Sequence, residues 1–116
     1  MAKILIIEDE MYVRYLYSET LSNDYDVVEA EDGFDGLDLL EDEEFDLLIV
    51  DINMPAMDGI RLLEKARDLG IDIKAIIISA YGREKYADRL IELGVVEYFE
   101  KPVDIENLKK AVKKWC

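Results

Sequence analysis

Apolar residues along this chain fall into two alternating rhythms. Lys3–Ile7, Leu47–Val50 and Ala75–Ile78 are short continuous runs rich in Ile, Leu and Val, as strands buried on both faces are. Tyr25–Ala30 reads as a further short strand at an edge, and Val95–Phe99 as a fifth. Between these runs apolar positions recur at helical spacing. Five helices are predicted. The first runs from about Glu10 to Ser22 with Val13, Leu16 and Thr20 or Leu21 inward, a pattern blurred by Tyr12, Tyr15 and Tyr17. The second opens at Asp32 or Gly33 with Phe34, Leu37 and Leu40 inward, and the third spans about Gly59–Leu69 with Ile60, Leu63 and Ala66 or Arg67 bounding its stripe. The fourth, about Arg83–Leu93, has the thinnest stripe, Ala87, Leu90 and Ile91. The fifth follows Pro102, is capped by Asp104, and buries Ile105, Leu108, Val112 and Trp115. Strands alternating one for one with helices demand parallel neighbours and right-handed crossovers, so the fold class is α/β, a doubly wound five-stranded parallel sheet with five helices on its two faces.

At 116 residues the chain is one domain, residues 1–116, and 51% hydrophobic content supplies its core. The balance of 28 acids against 14 bases, a net charge of −14, argues against direct nucleic-acid binding and against anionic membrane surfaces. No apolar run is long enough to span a membrane and no leader pattern is present, so a cytoplasmic location is the default expectation. Cys116 is the only cysteine and there is no histidine, which excludes an intrachain disulfide and the usual zinc sets. Carboxylates and carbonyls remain as metal donors, and these suit hard ions such as Mg²⁺. The lysines at 109, 110, 113 and 114 lie where a helix dipole favours cations, and read as a solvated helix end.

The chemistry gathers at strand ends. The first strand stops at Glu8, Asp9 and Glu10, the third at Asp51, the fourth at Ser79, and the fifth at Glu100, Lys101 and Pro102. Open α/β sheets bind ligands at that rim. Taken singly, a strand-end aspartate is usually a cap, a serine a surface hydroxyl and a Lys-Pro pair a loop. Together they deliver carboxylates, a hydroxyl and one ammonium to a single edge.

The segments ILIIEDE at 4–10, LLIVDINMPAMDG at 47–59, IIISAYG at 76–82 and YFEKP at 98–102 resemble the receiver domains of two-component response regulators, and the likeness covers nearly the whole chain. It implies the strand order 2-1-3-4-5, which sets Asp9 beside Asp51. Three carboxylates so close repel one another and resist burial unless a cation compensates. The resemblance implies Mg²⁺, with Mn²⁺ able to substitute, held by Asp9, Asp51, the backbone carbonyl of Asn53 and, through water, Glu8. It implies that Asp51 is the phosphoacceptor, aspartate being a known nucleophile toward phosphorus, with Lys101 and the Ser79 hydroxyl on the phosphoryl oxygens. A cis bond before Pro102 is typical of the family. Ser79 and Tyr98 would form the switch, the ring rotating inward as the hydroxyl moves, and Asn53 and Tyr81 would flank the incoming nucleophile. Tyr81 is bulky and is expected to slow attack by water.

Such a receiver takes its phosphoryl group from a histidine kinase. It alters the surface of the fourth helix, fifth strand and fifth helix, read by an effector, a histidine phosphotransfer protein or a second copy forming a homodimer. It catalyses its own phosphorylation and dephosphorylation. Within the family, AYG at 80–82 and KPVDIENLKKAVKK at 101–114 are most similar to the single-domain receivers of sporulation phosphorelays. Glu8 in place of the commoner aspartate, and Ser79 in place of threonine, are departures that other members share. Three alternatives stay open. One is a receiver cut from a transcriptional regulator. Another is a Mg²⁺-dependent phosphatase working through Asp51, disfavoured by Asn53 where an acid would stand and by the lack of a cap. The last is a binding module that is never phosphorylated, which the intact Asp9, Asp51, Ser79 and Lys101 oppose.

Overall fold

The apolar runs form five parallel strands: β1 (Lys3–Ile7), β2 (Asp26–Ala30), β3 (Leu47–Asp51), β4 (Ala75–Ser79) and β5 (Val95–Glu100). They lie in the order β2-β1-β3-β4-β5. The computed structural model describes residues 1–116. β1, β3 and β4 are interior and almost entirely buried, which is why they are written as unbroken aliphatic runs. β2 and β5 are the edges and carry the polar residues.

Successive side chains point to opposite faces of the sheet. One face gathers Ile4, Ile6, Leu47, Ile49, Ile76 and Ile78 under helices α1 (Met11–Leu21) and α4 (Ile105–Trp115). The other gathers Leu5, Ile7, Leu48, Val50, Ala75 and Ile77 under α2 (Gly33–Asp42) and α3 (Gly59–Asp68).

The sheet and its order match expectation, but the helix count does not: there are four α-helices, not five. The predicted helix over 83–93 is a short 3-10 turn, Arg83–Tyr86, followed by irregular turns. Each true helix starts on a carboxylate that accepts a backbone N–H: Glu10, Asp32, Asp58 and Asp104. Such caps satisfy donors that a helix start leaves open. The segment at 83 begins on Gly82, with no capping side chain, and puts the cations Arg83 and Lys85 where a helix dipole disfavours them. Its apolar stripe is also too thin. Leu90 and Leu93 are buried, but Ala87 is exposed and Ile91 is 88% exposed. Most of its backbone bonds skip three residues, as from Arg89 N–H to the Tyr86 carbonyl at 2.9 Å.

Two inward assignments also shift. On α1, Tyr17 is buried and Leu16 is half exposed, so the inner stripe is Val13, Tyr17 and Leu21. On α2, Phe34 faces out and the buried positions are Gly33, Gly36 and Leu40. A Cβ on Gly36 would sit 2.2 Å from Ile7 Cδ1, so glycine lets α2 lie directly on β1.

What holds the irregular segment is side chains of α3. The Arg67 guanidinium donates to the carbonyls of Ile73 at 2.6 Å, Ile71 at 3.1 Å and Leu93 at 3.1 Å, and to Asp72 at 3.0 Å. Glu64 pairs with Arg89. Arg67→Met keeps the aliphatic stem and strands three carbonyls. It should lower stability by about 2–3 kcal/mol, read as a lower urea midpoint with an unchanged slope. An unshifted midpoint would show that solvent replaces these bonds without loss.

Candidate functional site

The in-register pairing of Ile7 with Val50 brings the residues that follow them, Glu8 and Asp51, side by side. Continuing the alternation, both fall on the face that carries α1 and α4. Both are buried, Glu8 at 1% and Asp51 at 4% exposure. Asp9, one residue on, is exposed, yet a carboxylate oxygen of each of Glu8, Asp9 and Asp51 lies within 4.8 Å of the others. β5 then supplies the cation. Lys101 Nζ lies 2.8 Å from Glu8 Oε1 and 2.9 Å from Asp51 Oδ2. The Lys101 N–H donates to the Ser79 carbonyl at 2.6 Å, and the Lys101–Pro102 bond is cis.

The backbone fixes the remaining carboxylate oxygens. The Glu10 N–H donates to Glu8 Oε2 at 3.1 Å and the Asn53 N–H to Asp51 Oδ1 at 3.1 Å. The Asn53 side chain is exposed. Gly59, which opens α3, lies against Asp51: an added Cβ would stand 2.5 Å from the Asp51 carbonyl oxygen. Glycine there lets the helix start abut the strand end.

Ser79 stands apart from the carboxylates. It is fully buried, but by alternation it belongs to the opposite pleat, with Ile77 and Tyr98. Its Oγ accepts the Tyr81 N–H at 3.1 Å, which leaves the hydroxyl proton available for donation. The Tyr98 hydroxyl donates to the Tyr81 carbonyl at 2.7 Å and approaches that of Gly82 at 3.3 Å. Tyr81 is half exposed at the rim.

Two neighbours escaped the sequence reading. Arg14 on α1 donates to the Glu8 carbonyl at 2.7 Å and to Glu29 at 3.2 Å, tying the ends of β1 and β2 together. Tyr17 is buried close enough to feel the cluster. Burial, with the Glu8 and Asp51 charges, pushes its phenol up to about 12 against the opposing pull of Lys101.

The charges do not balance. Two buried carboxylates share a single ammonium, and a third carboxylate, Asp9, stands beside them at the rim. Burial raises the Glu8 carboxyl from its usual 4.5 to about 7, even though the Lys101 and Glu10 hydrogen bonds oppose the rise. Burial disfavours the Lys101 charge, but the hydrogen bonds it donates to Glu8 and Asp51 outweigh that and raise its pKa. An all-oxygen donor set that is short of positive charge suits a hard divalent cation such as Mg²⁺.

A family model described as "Response regulator receiver domain" matches residues 4–113. The chain belongs to this family. Sporulation initiation phosphotransferase F of Bacillus subtilis is 36% identical over 114 residues, covering 97% of this receiver and 92% of that protein. The receiver is thus closely related to those of sporulation phosphorelays and is a phosphoacceptor domain of the CheY-like kind. A similar stretch occurs within sensor histidine kinase RcsC of Escherichia coli, 32% identical over 110 residues, covering 94% of this chain and 12% of the kinase. Among solved structures, response regulator protein TrrA from Thermotoga maritima, determined in complex with Mg²⁺-BeF, superimposes with a TM-score of 0.86 at 32% identity over all of both chains. No helix of this receiver is long and apolar enough to cross a membrane.

The raised Glu8 pKa sets a pH dependence. Between its unfolded value of 4.5 and about 7 the folded, metal-free protein holds a proton that the unfolded chain has released. Stability from this group is therefore full below that window and lost as pH rises through it, by at most about 1.4 kcal/mol per pH unit. In EDTA the Tm should fall across the window, and Glu8→Gln should flatten the fall. A wild-type Tm that climbs over the same range would overturn the assignment.

Proposed function

We propose that the receiver accepts a phosphoryl group from a histidine kinase onto Asp51. The observation that carries this reading is the Lys101 ammonium bridging two buried carboxylates at one sheet edge. An ammonium within 3 Å of a strand-end aspartate is already placed to follow a phosphoryl oxygen added there. Glu8, Asp9 and Asp51, with the Asn53 carbonyl, would hold Mg²⁺, or Mn²⁺ in its place. Bound there, the cation neutralises phosphoryl oxygens and favours in-line displacement.

The protein's own groups do the rest. An Asp51 carboxylate oxygen attacks phosphorus, the O–P bond forms, and the N–P bond to the kinase histidine breaks with its electron pair leaving on nitrogen. The Asn53 N–H keeps the second Asp51 oxygen aligned. Lys101 gives up a carboxylate contact for a phosphoryl oxygen, and the Ser79 proton, not engaged by Tyr81, donates to another. A shift of Ser79 moves Tyr81 and, through its carbonyl, the Tyr98 hydroxyl. The surface built by the 83–94 segment, β5 and α4 then changes population rather than being remade. A histidine phosphotransfer protein, an effector or a second copy of the chain reads that surface. A cytoplasmic setting without direct nucleic-acid contact accords with the net charge of −14.

Incubation with Mg²⁺ and acetyl phosphate or phosphoramidate should yield one phosphoryl adduct by intact mass, stable for minutes and absent in Asp51→Asn or in EDTA. Rapid release of inorganic phosphate with turnover would indicate a hydrolase instead, and no adduct at all a binding module. Tyr81→Ala should hasten loss of the adduct, and an unchanged rate would reject Tyr81 as a screen against water.

A further inference from the structure

The backbone of Tyr81 is fastened on both sides, by its N–H to Ser79 Oγ at 3.1 Å and by its carbonyl from the Tyr98 hydroxyl at 2.7 Å. Only its side-chain torsions are left to decide where the ring stands, and the residue is 48% exposed. A cation lies over the ring. Lys85, in the 3-10 turn that begins two residues after Tyr81, sets its ammonium 4.0 Å from the Tyr81 ring centroid and 5.5 Å from that of Tyr86. No carboxylate pairs with Lys85, although Glu84 and Asp88 lie close in sequence. A lysine that forgoes abundant acids for two aromatic faces is held by the ring quadrupoles.

We propose that Lys85 is a positioning residue that sets the lifetime of the phosphorylated receiver by clamping the Tyr81 ring at the rim. This rests on the reading of Asp51 as phosphoacceptor and of Tyr81 as a screen against water. In the step concerned, water oxygen attacks phosphorus, the bond from phosphorus to the Asp51 oxygen breaks, and the products are the Asp51 carboxylate, inorganic phosphate and a proton released to solvent. Lys85 touches none of these atoms. Its contact biases the ring toward one rotamer, and without it the ring samples others that leave phosphorus open. The short 3-10 turn delivers the ammonium back over the ring. A regular helix over the same residues would change that path, so the contact depends on the irregular segment.

The receiver is phosphorylated with Mg²⁺ and acetyl phosphate, excess reagent is removed, and decay of the adduct is followed by intact mass. Lys85→Met should shorten the lifetime about two- to fivefold, the population change that an exposed cation–π contact sustains. Lys85→Arg should restore it, and the Tm of Lys85→Met should fall by no more than a few degrees. In a Tyr81→Ala background Lys85→Met should change nothing further. Equal lifetimes for Lys85→Met and the wild type would overturn the proposal. So would an equal acceleration with and without the Tyr81 ring, which would mean that the lysine acts by its charge alone. Failure to form any adduct in the wild type would instead count against the phosphoacceptor reading, on which the proposal stands.

Discussion

One ammonium shared by two buried carboxylates sets the terms for the rest of this structure. Burying Glu8 and Asp51 side by side is costly, and Lys101 offsets only part of that cost. A protein interior normally pairs its charges one to one, or replaces them with apolar groups. Here three acids face one base, and Glu8 answers by holding its proton up to about 7. The deficit is what gives the site its chemistry. A fully neutral cluster would have no affinity for a divalent cation, and a cluster without Lys101 would have nothing to offer an incoming anion. The two-to-one arrangement leaves both a surplus of carboxylate oxygens and one ammonium at the same rim.

The pleat of the sheet divides the work. Glu8 and Asp51 lie toward α1 and α4, whereas Ser79 and Tyr98 lie toward the 83–94 segment. The charged groups therefore lie on one face and the Ser79 and Tyr98 hydroxyls on the other, with the end of β5 leading to Lys101. The link is short. Ser79 Oγ, the Tyr81 backbone and the Tyr98 hydroxyl form an unbroken chain of hydrogen bonds from the rim to the edge strand.

The strands and the rim were legible in the sequence because both depend on local writing. Aliphatic runs mark interior strands, and the residue that ends each run is by construction at the rim, so Asp51 and Lys101 could be placed without coordinates. Helix faces were less legible. Leu16 is more apolar than Tyr17, yet it is Tyr17 that is buried, within reach of the carboxylate charges. Phe34 looked like a core residue, but Gly36 brings α2 so close to β1 that the inner stripe runs through the glycines. The missing fourth helix had a visible sign that period alone does not capture. Its start lacks the acidic cap that opens each of the other four helices. Arg14 left no such sign, since its partners, the Glu8 carbonyl and Glu29, are brought near only by folding.

That uncapped segment is also the least self-supporting part of the fold. A capped, regular helix packed on the sheet would resist displacement by a single hydrogen bond. Residues 83–94 make few regular backbone bonds, and they are held instead by contacts that originate elsewhere: Arg67 and Glu64 from α3, the Tyr81 ring against Lys85, and the Tyr98 hydroxyl on the Gly82 carbonyl. Each is modest, and several converge on the residues that follow Ser79. A segment stabilised by many small external contacts lies near the low end of the stability range within a fold, where one or two kcal/mol shifts populations severalfold. The same weakness that denied this stretch a helix leaves it the part of the fold closest to the rim with the fewest regular backbone bonds of its own.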